Sequence, residues 1–406
     1  MNILFLSLSR FTDINERGIY SDLMRELVRR GNKVYIASPT ERRFGKPTSL
    51  VNDGNVEILK IKTLNIQKTN IVEKGIGTLL LEWQFDRAIQ KYWGDVKFDM
   101  VLYATPPITF NKVIGKVKRR CGARSYLMLK DIFPQNAVDL GMMKQGSLLH
   151  KLFRKKEERL YQISDRIGCM SPANCDYVIE HNPKVDPSKV ELCPNAIEVV
   201  TFPQISADEK RLSLEKYGIP ADKTLFIYGG NLGKPQGIDF LLKVVEANEA
   251  RNDSYIIIVG SGTESHKITD WFDEYKPKNA KHMSALPKDE YDKLVRICDV
   301  GLIFLDPRFT IPNFPSRLLS YLENSMPVLL ATDPNTDIGR IAEAEGFGLW
   351  SLNGDIHTFI HNMCQFANNR AMINGMGEIG YTYLLDNYTV DKAIDIISCS
   401  SGMLYS

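Results

Sequence analysis

The sequence predicts an α/β protein made of two tandem domains, each built on a parallel β-sheet. The chain has 406 residues, of which 44% are hydrophobic and 25% charged, and this is enough for two ordinary cores. Short β-branched runs alternate with longer helical patterns, which is typical of βαβ units on a parallel sheet. The alternation pauses once near the middle of the chain, and this pause divides the predicted elements into two series.

The first series of predicted elements fills the N-terminal half of the chain. A strand over 2–8, a helix near 20–30 and a strand over 33–38 form the first βαβ unit. Each later strand is short, and helical sequence separates it from the next. These later strands are predicted over 56–61, 100–104, 125–129, 166–169 and 190–192.

The pause begins at Cys193-Pro194-Asn195, and the chain then stays polar to about residue 222 with two further prolines. We therefore predict a first domain over 1–197, a second over 198–385 and a helical C-terminal tail over 386–406. We expect ligands in a cleft between the domains, at the carboxyl ends of the strands. The second series has strands over 224–229, 254–260, 300–304 and 327–331, and helices near 237–250, 288–298 and 315–324.

The composition argues against a secreted, membrane-spanning or metal-dependent protein. The seven cysteines include no C-x-x-C pair and their number is odd, which favours a reducing cytosol over a disulfide framework or a zinc site. The chain enters an apolar strand at once, and no stretch reaches about eighteen apolar residues, so we expect neither export nor a membrane span. There is no D-x-D motif and the six histidines lack ligand spacing, so we expect no metal and no other cofactor.

Charge is distributed unevenly along the chain. Residues 1–200 contain 32 basic and 22 acidic side chains, a net +10, whereas the remainder contains 19 and 27, a net −8. This split predicts that the first half faces an anionic partner, although chance and solvated helix faces explain it equally well. The near-neutral total of +2 and the acidic second half argue against nucleic-acid binding.

The basic side chains of the first half concentrate in the segments 112–124 and 151–159, which we expect to face an anionic membrane surface. These side chains are Lys112, Lys116, Lys118, Arg119, Arg120, Arg124, Lys151, Arg154, Lys155, Lys156 and Arg159. The second segment also carries an apolar stripe at helical spacing, for which packing into the core is favoured over membrane contact. The stripe consists of Leu148, Leu149, Leu152, Leu160 and Ile163.

A glycine-rich segment lies between a predicted strand and a predicted helix and reads Tyr228-Gly229-Gly230-Asn231-Leu232-Gly233-Lys234-Pro235-Gln236-Gly237. Glycines allow backbone N–H groups to approach an anion, and the following helix N-terminus adds positive potential, so the segment is a candidate phosphate site. A turn needed only for strand-to-helix geometry is the alternative. The segment is not a P-loop, because Gly-Lys-Ser/Thr is absent.

A second candidate anion site is the segment 314–322, Phe-Pro-Ser-Arg-Leu-Leu-Ser-Tyr-Leu, which follows an apolar strand. Pro315 suits the first turn of a helix, so the amides of Ser316 and Arg317 are expected at a helix N-terminus with a guanidinium beside them. Arginine offers bidentate donors to phosphate oxygens. A capped helix with a surface arginine is the alternative.

In their order and spacing, these segments resemble the family-four retaining glycosyltransferases. The likeness covers essentially the whole chain, and it is greatest for surface-polysaccharide enzymes that include N-acetylfucosaminyl transferases. The other matching segments are 256–263, 298–302, 315–328, Arg17-Gly18-Ile19-Tyr20, Lys130-Asp131-Ile132-Phe133-Pro134 and Cys193-Pro194-Asn195-Ala196.

The resemblance implies the GT-B fold, in which two Rossmann-like domains with parallel sheets face each other across a cleft. It also implies a retaining hexosyl- or N-acetylhexosaminyl-type transferase. Such an enzyme moves a sugar from a nucleotide-diphosphate donor, here a UDP-sugar, to a lipid-linked or saccharide acceptor in capsule, O-antigen or exopolysaccharide synthesis. We therefore expect a cytoplasmic enzyme attached peripherally to the inner face of the cell membrane.

The chain departs from the family pattern at two pairs of positions. Asn231 and Gln236 stand where most members have phosphate-binding cations, and Pro312 and Ser320 stand where the family has two glutamates. By resemblance, Lys234 and Arg317 replace the missing cations. Preorganised amides and cations then stabilise the charge on the leaving diphosphate, which is held between the second domain and the Gly18 loop. The expected donor-binding residues are Gly18, Gly230, Asn231, Lys234, Ser316, Arg317 and Ser320.

Asp131 and Lys130 are the candidate catalytic residues. They follow the predicted strand 125–129, which places the Asp131 carboxylate at the cleft edge, where it can orient or deprotonate an acceptor hydroxyl. Lys130 can bind an acceptor phosphate. A cap on the following turn is the alternative role of Asp131, and a solvated side chain is the alternative for Lys130.

Two other functions stay open at this point. A nucleotide-sugar epimerase of similar fold also binds a nucleotide diphosphate but works without an acceptor. A non-catalytic scaffold is the second, because the glutamate pair is missing. Release of nucleotide only when acceptor is added distinguishes a transferase from an epimerase, and failure to bind any nucleotide favours a scaffold.

Overall fold

A computed structural model describes residues 1–66, 71–203, 205–367 and 369–402. The chain forms two compact units. The first contains Met1–Glu198 and the C-terminal segment from Thr389, and the second contains Val199–Tyr388. The predicted divisions lay after residues 197 and 385, and the observed ones fall after Glu198 and Tyr388.

The strands and helices alternate along each unit. The first unit contains β1 (Asn2–Leu6), α1 (Ile19–Arg29), β2 (Lys33–Glu41), β3 (Ser49–Asp53), β4 (Val56–Thr63), α2 (Ile71–Trp93), β5 (Met100–Ala104), α3 (Asn111–Cys121), β6 (Arg124–Leu129), α4 (Gln135–Asp139), α5 (Leu148–Ile163), β7 (Arg166–Cys169), α6 (Pro172–His181) and β8 (Val190–Leu192).

The second unit continues the numbering, and the last helix of the chain returns to the first unit. The elements are α7 (Ala207–Tyr217), β9 (Thr224–Asn231), α8 (Ile238–Asn248), β10 (Ser254–Ser261), α9 (Ser265–Tyr275), β11 (Ala280–Ser284), α10 (Lys288–Ile297), β12 (Val300–Phe304), α11 (Arg317–Glu323), β13 (Val328–Thr332), α12 (Ile338–Glu345), β14 (Gly348–Leu352), α13 (Ile356–Ala367), α14 (Arg370–Asn387) and α15 (Val390–Ser401). Short 3-10 helices lie at Arg42–Phe44, Pro187–Lys189 and Lys234–Gln236.

The sheet of the first unit has the strand order β3-β4-β2-β1-β5-β6-β7-β8. Every pairing is parallel except that of β3 with β4. Phe5 in the central strand β1 lies opposite Ile36 of β2 and Leu102 of β5. The inner strands are near-continuous apolar runs because helices cover both faces of such a sheet.

The antiparallel edge strand β3 was not predicted from the sequence. All five of its residues are exposed, so it has neither the apolar run nor the alternation by which buried strands are recognised. The first strand is also shorter than the predicted 2–8 and ends at Leu6. The edge strand lies away from the centre of the sheet and leaves the carboxyl edge unchanged.

The sheet of the second unit is parallel throughout and has the order β11-β10-β9-β12-β13-β14. The strand order reverses on either side of β9, as it reverses around β1 in the first unit. Ligands of doubly wound sheets bind outside the carboxyl ends of the strands at such a reversal. The predicted α/β class with two parallel-sheet, Rossmann-like domains is confirmed.

The C-terminal segment, for which a helix was predicted over 386–406, forms α15 and packs in the first unit. Val390, Ile394 and Ile397 are buried in the same core cluster as residues of β1 and α1. Arg30 of α1 also forms an ion pair with Asp395 at 2.5 Å. Apolar contact with α1 therefore holds the end of the chain against the N-terminal unit.

Candidate functional site

The glycine-rich segment begins inside β9 and turns at the carboxyl edge of the second sheet. Gly230 has φ +122°, a conformation that side chains other than glycine rarely adopt. A Cβ on Gly229 would lie 1.9 Å from the Tyr291 hydroxyl, so that position also excludes a side chain. The turn therefore needs these glycines for its own geometry, and it leaves the backbone of Gly230 exposed at the sheet edge.

Arg317, the first residue of α11, reaches this turn from the neighbouring strand–helix connection. Its guanidinium carbon lies 4.3 Å from the centre of the Tyr228 ring. Its Nη2 donates to Gln236 Oε1 at 2.6 Å. Its Nη1 is buried and has no hydrogen-bond partner anywhere in the described ranges. A buried guanidinium with an unused donor is costly in the free protein and is well suited to an anion.

Two further tyrosines fix the surroundings of Arg317. The Tyr321 hydroxyl accepts from the Gly229 amide at 3.2 Å and donates to the Ile227 carbonyl at 3.1 Å. Burial raises the pKa of Tyr291 to about 12, although the positive charge of Arg317 acts in the opposite direction. These hydroxyls stay protonated near neutral pH, so they add no negative charge and the site keeps the positive charge of the guanidinium.

Asn231 and Lys234 lie in the same turn as Gly230. Asn231 is exposed, and its carbonyl accepts from the Tyr228 hydroxyl at 2.8 Å. Lys234 is exposed and forms no ion pair with any residue that the structure describes. Its ammonium group is therefore available to a ligand, but only as a mobile point charge.

A pocket of about 490 Å³ opens beside Lys234, at the carboxyl edge of the same sheet. Two of its cations are neutralised by neighbours. Arg308 pairs with Asp306 at 2.8 Å, and Lys267 pairs with Glu264 at 2.7 Å. Lys234 is thus a cation of this pocket wall that is left without a carboxylate.

Ser316 and Ser320 lie at the start and on the second turn of α11. Ser316 is exposed and precedes the helix with helical backbone angles, but its side chain does not cap the helix. Ser320 is half-buried, and its carbonyl accepts from Asn324 Nδ2 at 2.7 Å. The structure thus brings Gly230, Arg317 and Gln236 together. Asn231 ends β9 and Lys234 lies in the turn after it, whereas Ser316 and Ser320 lie at the start and on the second turn of α11.

Asp131 follows β6 at the carboxyl edge of the first sheet. Its backbone amide donates to Thr105 Oγ1 at 3.1 Å, which fixes the chain as it leaves the strand. Both carboxylate oxygens accept from Asn136 Nδ2, at 2.7 and 2.8 Å. Burial raises the pKa of Asp131 to about 6, and the hydrogen bond from Asn136 only partly opposes this. A carboxyl group that titrates near neutral pH is suited to general base catalysis.

Lys130 is adjacent in sequence, but its side chain has a different partner. Its Nζ donates to the Cys193 carbonyl at 3.3 Å, and burial lowers the pKa of Lys130 to about 8. The structure shows no ion pair between Lys130 and Asp131, although both lie in the described residues. The two candidate catalytic side chains are therefore not brought together.

Gly18 precedes α1 in the first unit. Its amide donates to Asp22 Oδ1 at 3.0 Å, and that carboxylate also pairs with Arg25 at 2.6 Å. The Gly18 amide thus already has an internal acceptor in this structure. Gly18 lies in the first unit, whereas the remaining donor-binding candidates lie in the second. We call these remaining candidates the Arg317 cluster, which consists of Gly230, Asn231, Lys234, Ser316, Arg317 and Ser320.

The basic segment 112–124 uses much of its charge internally. Lys116 pairs with Asp86 at 2.5 Å and Lys118 with Asp165 at 2.8 Å. Arg120 donates to backbone carbonyls of the 93–96 connection. These three cations therefore act within the first unit, whereas Lys112 and Arg119 of the same segment are exposed.

The apolar stripe of α5 also differs from its prediction. Leu160 is buried, as expected for core packing. Leu148, Leu149 and Leu152 are instead 88%, 52% and 43% exposed. The prediction of core packing is therefore wrong for the first two turns, because helical spacing identifies a face but not what covers it. Among the helices that the structure describes, none combines the length and the apolar character needed to cross a bilayer.

Comparisons with known proteins find similar sequences for most of the second unit and for about two thirds of the chain. Residues 209–382 match the model of the family Glycosyl transferases group 1. WbjE of Pseudomonas aeruginosa, a probable glycosyltransferase, is 23% identical over 297 residues, which are 72% of this chain and 71% of that protein. WcaI of Escherichia coli, a putative colanic acid biosynthesis glycosyl transferase, is 21% identical over 276 residues, 66% of this chain and 65% of that protein.

Solved structures share the fold over nearly the whole chain. Sucrose-phosphate synthase of Thermosynechococcus elongatus has a TM-score of 0.76 at 15% identity, with 98% of each chain covered. HepE of Anabaena, solved in complex with UDP-glucose, has a TM-score of 0.70 at 11% identity, with 100% of each chain covered. The family match and the two relatives identify the chain as a glycosyltransferase, and the shared fold makes it one of GT-B type. The predicted class of enzyme is confirmed at this level.

Proposed function

We propose that this chain transfers a sugar, with retention of configuration, from a UDP-sugar to a lipid-linked or saccharide acceptor in capsule, O-antigen or exopolysaccharide synthesis. The observation that carries the proposal is Arg317 Nη1, a buried and unpartnered donor at the glycine turn of the second sheet. A diphosphate oxygen is the kind of acceptor that would satisfy it.

The position of Arg317 supports a role as a substitute cation. The family pattern has a lysine at position 236, where this chain has glutamine, and the Arg317 guanidinium binds that glutamine at 2.6 Å. The guanidinium thus occupies the neighbourhood of the missing charge. Lys234 from the same turn adds a second cation, and the exposed backbone of Gly230 permits close approach of a phosphate. As the donor bond breaks, these groups stabilise the charge on the leaving diphosphate.

The donor and pathway parts of the proposal also draw on the similar proteins. HepE was solved with UDP-glucose, which favours a uridine nucleotide as the donor. WcaI is described as a putative colanic acid biosynthesis enzyme, which favours a surface polysaccharide as the product. We expect transfer without a bound metal, because the cations of the Arg317 cluster already supply positive charge at the diphosphate.

On the acceptor side, we propose that Asp131 orients or deprotonates the attacking hydroxyl. Its raised pKa of about 6 leaves it mostly ionised at neutral pH and still basic enough to accept a proton. Lys130 donates a hydrogen bond to the Cys193 carbonyl, so in this proposal it stabilises the backbone beside Asp131. It can bind an acceptor phosphate only if this hydrogen bond breaks.

Thermal denaturation with and without UDP and a panel of UDP-sugars tests the donor part. Because a ligand that binds the folded state stabilises it, the native chain should melt at a higher temperature with UDP, and Arg317→Ala should lose this shift. Arg211→Ala is the matched control, since Arg211 is an exposed arginine of α7 that pairs with the surface carboxylates of Asp208 and Glu215. No shift with any nucleotide would support a non-catalytic scaffold.

A second measurement separates a transferase from an epimerase. UDP release from the UDP-sugar is followed before and after a lipid-linked or free saccharide acceptor is added. A transferase releases UDP only in step with glycosylated product, whereas an epimerase changes the sugar and releases no UDP. Peripheral attachment to the inner face of the cell membrane completes the proposal, and it supplies the setting for a lipid-linked acceptor.

A further inference from the structure

The exposed face of α2 is apolar over its middle turns. Ile76, Leu79, Leu80 and Trp83 are 48%, 56%, 41% and 55% exposed. Their spacing places them on one side of the helix, whereas Leu81 and Phe85 on the other side are fully buried in the first unit. This apolar face is therefore presented outward and is not part of the core.

The first turns of α5 repeat this arrangement. Leu148, Leu149 and Leu152 are largely exposed, and Met142 in the preceding loop is 62% exposed. Soluble monomeric proteins rarely leave clusters of large apolar side chains uncovered, and such clusters mark interaction surfaces. We call these exposed residues of α2 and α5 the apolar rim, which consists of Ile76, Leu79, Leu80, Trp83, Leu148, Leu149 and Leu152.

The topology places both halves of the rim toward the same edge of the first sheet. Helix α2 connects β4 to the parallel strand β5, and α5 leads from β6 to the parallel strand β7. Each helix therefore starts at the carboxyl edge and runs back toward the amino edge. The apolar residues occupy the first two turns of α5 and the second to fourth turns of α2, so both sets begin toward the edge that also holds Asp131.

Cations follow the apolar residues on both exposed faces. Arg87 of α2 lies with its guanidinium carbon 5.3 Å from the centre of the Trp83 ring. On α5, Lys151, Lys155 and Arg159 are exposed, and none of them pairs with a carboxylate in the described part of the chain. On both helices the apolar residues thus begin nearer the edge and cations extend beyond them, with Lys151 lying among the apolar residues of α5.

This order matches the chemistry of an anionic bilayer surface. Apolar and aromatic side chains enter the boundary between headgroups and acyl chains, and cations one or two turns behind them meet the lipid phosphates. A protein partner would need an acidic and apolar surface that matches the shape of the rim. An anionic bilayer supplies both the apolar acyl boundary and the negative headgroups and adapts to any shape. Trp83 with Arg87 beside it is also a typical interfacial anchor.

We propose that the apolar rim docks the first unit on an anionic membrane by inserting Leu79, Trp83, Leu148 and Leu152 into the interface. The proposal rests on the peripheral attachment proposed above, but it assigns the contact to α2 and α5 and not to the segment 112–124. A lipid-linked acceptor held in such a membrane would be presented at the carboxyl edge of the first sheet, beside Asp131.

Co-sedimentation of the full chain with vesicles tests the proposal, using phosphatidylcholine vesicles with and without phosphatidylglycerol. Leu79→Ser with Trp83→Ser, and separately Leu148→Ser with Leu152→Ser, should each weaken binding to the anionic vesicles at least about tenfold. The control is Leu212→Ser with Leu385→Ser, two exposed leucines of the second unit, which should bind like the native chain. Brominated lipid should quench native fluorescence more than that of Trp83→Phe.

Three results would overturn the proposal. The first is unchanged vesicle binding by both rim variants. The second is binding that disappears completely in about 1 M salt, where charges are screened beyond roughly 3 Å, since inserted side chains should retain part of it. The third is a change in oligomeric state without a change in vesicle binding, which would assign the rim to a protein interface. The UDP-induced thermal shift of each rim variant should match the native chain, so a failure of nucleotide binding is recognised separately.

Discussion

The carboxyl edges of the two sheets are built from the same strand–turn–helix connections, but they treat their charged residues differently. In the second unit, the buried Arg317 guanidinium keeps one nitrogen without a partner among the residues that the structure describes. In the first unit, Lys130 donates to the Cys193 carbonyl and Asp131 accepts from Asn136. The unpartnered group beside the turn of the second unit is thus a cation, which is suited to an anion, whereas the one beside Asp131 is the neutral Oδ1 of Asn136. At the edge of the first unit the informative quantity is therefore the raised pKa of Asp131.

The largest effect is expected at Asp131, at the carboxyl edge of the first sheet. Asp131→Asn should reduce the rate of transfer about 100-fold or more, because a positioned general base contributes about that much. UDP binding, measured by calorimetry, should stay nearly native. In the native enzyme the rate should also fall as pH drops below about 6, since protonation of Asp131 removes the base. Equal losses of activity and folding stability would instead support a turn-capping role.

The second largest effect is expected at Arg317, at the carboxyl edge of the second sheet. Arg317→Ala should weaken UDP binding and lower kcat/KM by about tenfold to more than a hundredfold, which corresponds to about 1.5–3 kcal/mol for a charge-assisted hydrogen bond. Arg317→Lys should recover only part of this, because an ammonium cannot bind Gln236 and a phosphate with a planar fork. Native nucleotide affinity in Arg317→Ala would contradict the assignment.

A smaller effect is expected for Lys234→Ala. Lys234 is an exposed point charge on a flexible stem, so its loss should reduce UDP affinity less than about tenfold. The effect should also shrink at high salt, whereas that of Arg317→Ala should persist because the guanidinium is buried. Isothermal calorimetry at two salt concentrations distinguishes the two cations, and an effect of Lys234→Ala as large as that of Arg317→Ala would contradict this ranking.

The sequence was sufficient for features that depend on local pattern. Apolar runs identified the inner strands of both sheets within a few residues, but not the edge strands β3, β11 and β14. Pro315 identified the start of the helix that carries Arg317. Arg317 contacts Gln236 and lies near Tyr291, and these three residues come from segments far apart in sequence. No local sequence pattern therefore predicts that they meet. Tyr228, directly before the two glycines, is the one local signal for the aromatic ring that packs against the Arg317 guanidinium.

The apolar stripe of α5 shows a second limit of sequence reasoning. Period-3.6 spacing is the same whether an apolar face packs on a sheet or meets solvent, because the spacing describes the helix and not its neighbours. Leu160 and Leu148 therefore looked equivalent in sequence, yet one is buried and the other is 88% exposed. The charge count of the first half had the same weakness, since Lys116 and Lys118 are paired within the unit.

The smallest expected effect is on stability and separates the two roles of Asp131. Burial raises its pKa from 3.8 to about 6, so the folded state binds the proton more tightly than the unfolded state. The stabilisation from the protonated carboxyl is full below about pH 3.8 and is lost as pH rises through about 6. An asparagine side chain carries no charge at any pH, so Asp131→Asn should be more stable than the native chain at about pH 8. The difference should be on the order of 1 kcal/mol after solvent screening, and it should vanish near about pH 4. Urea denaturation at the two pH values measures it. If Asp131→Asn is less stable than the native chain at the higher pH, the role of Asp131 is to stabilise the turn. If the variant is more stable but less active, the ionised carboxyl destabilises the fold and serves catalysis.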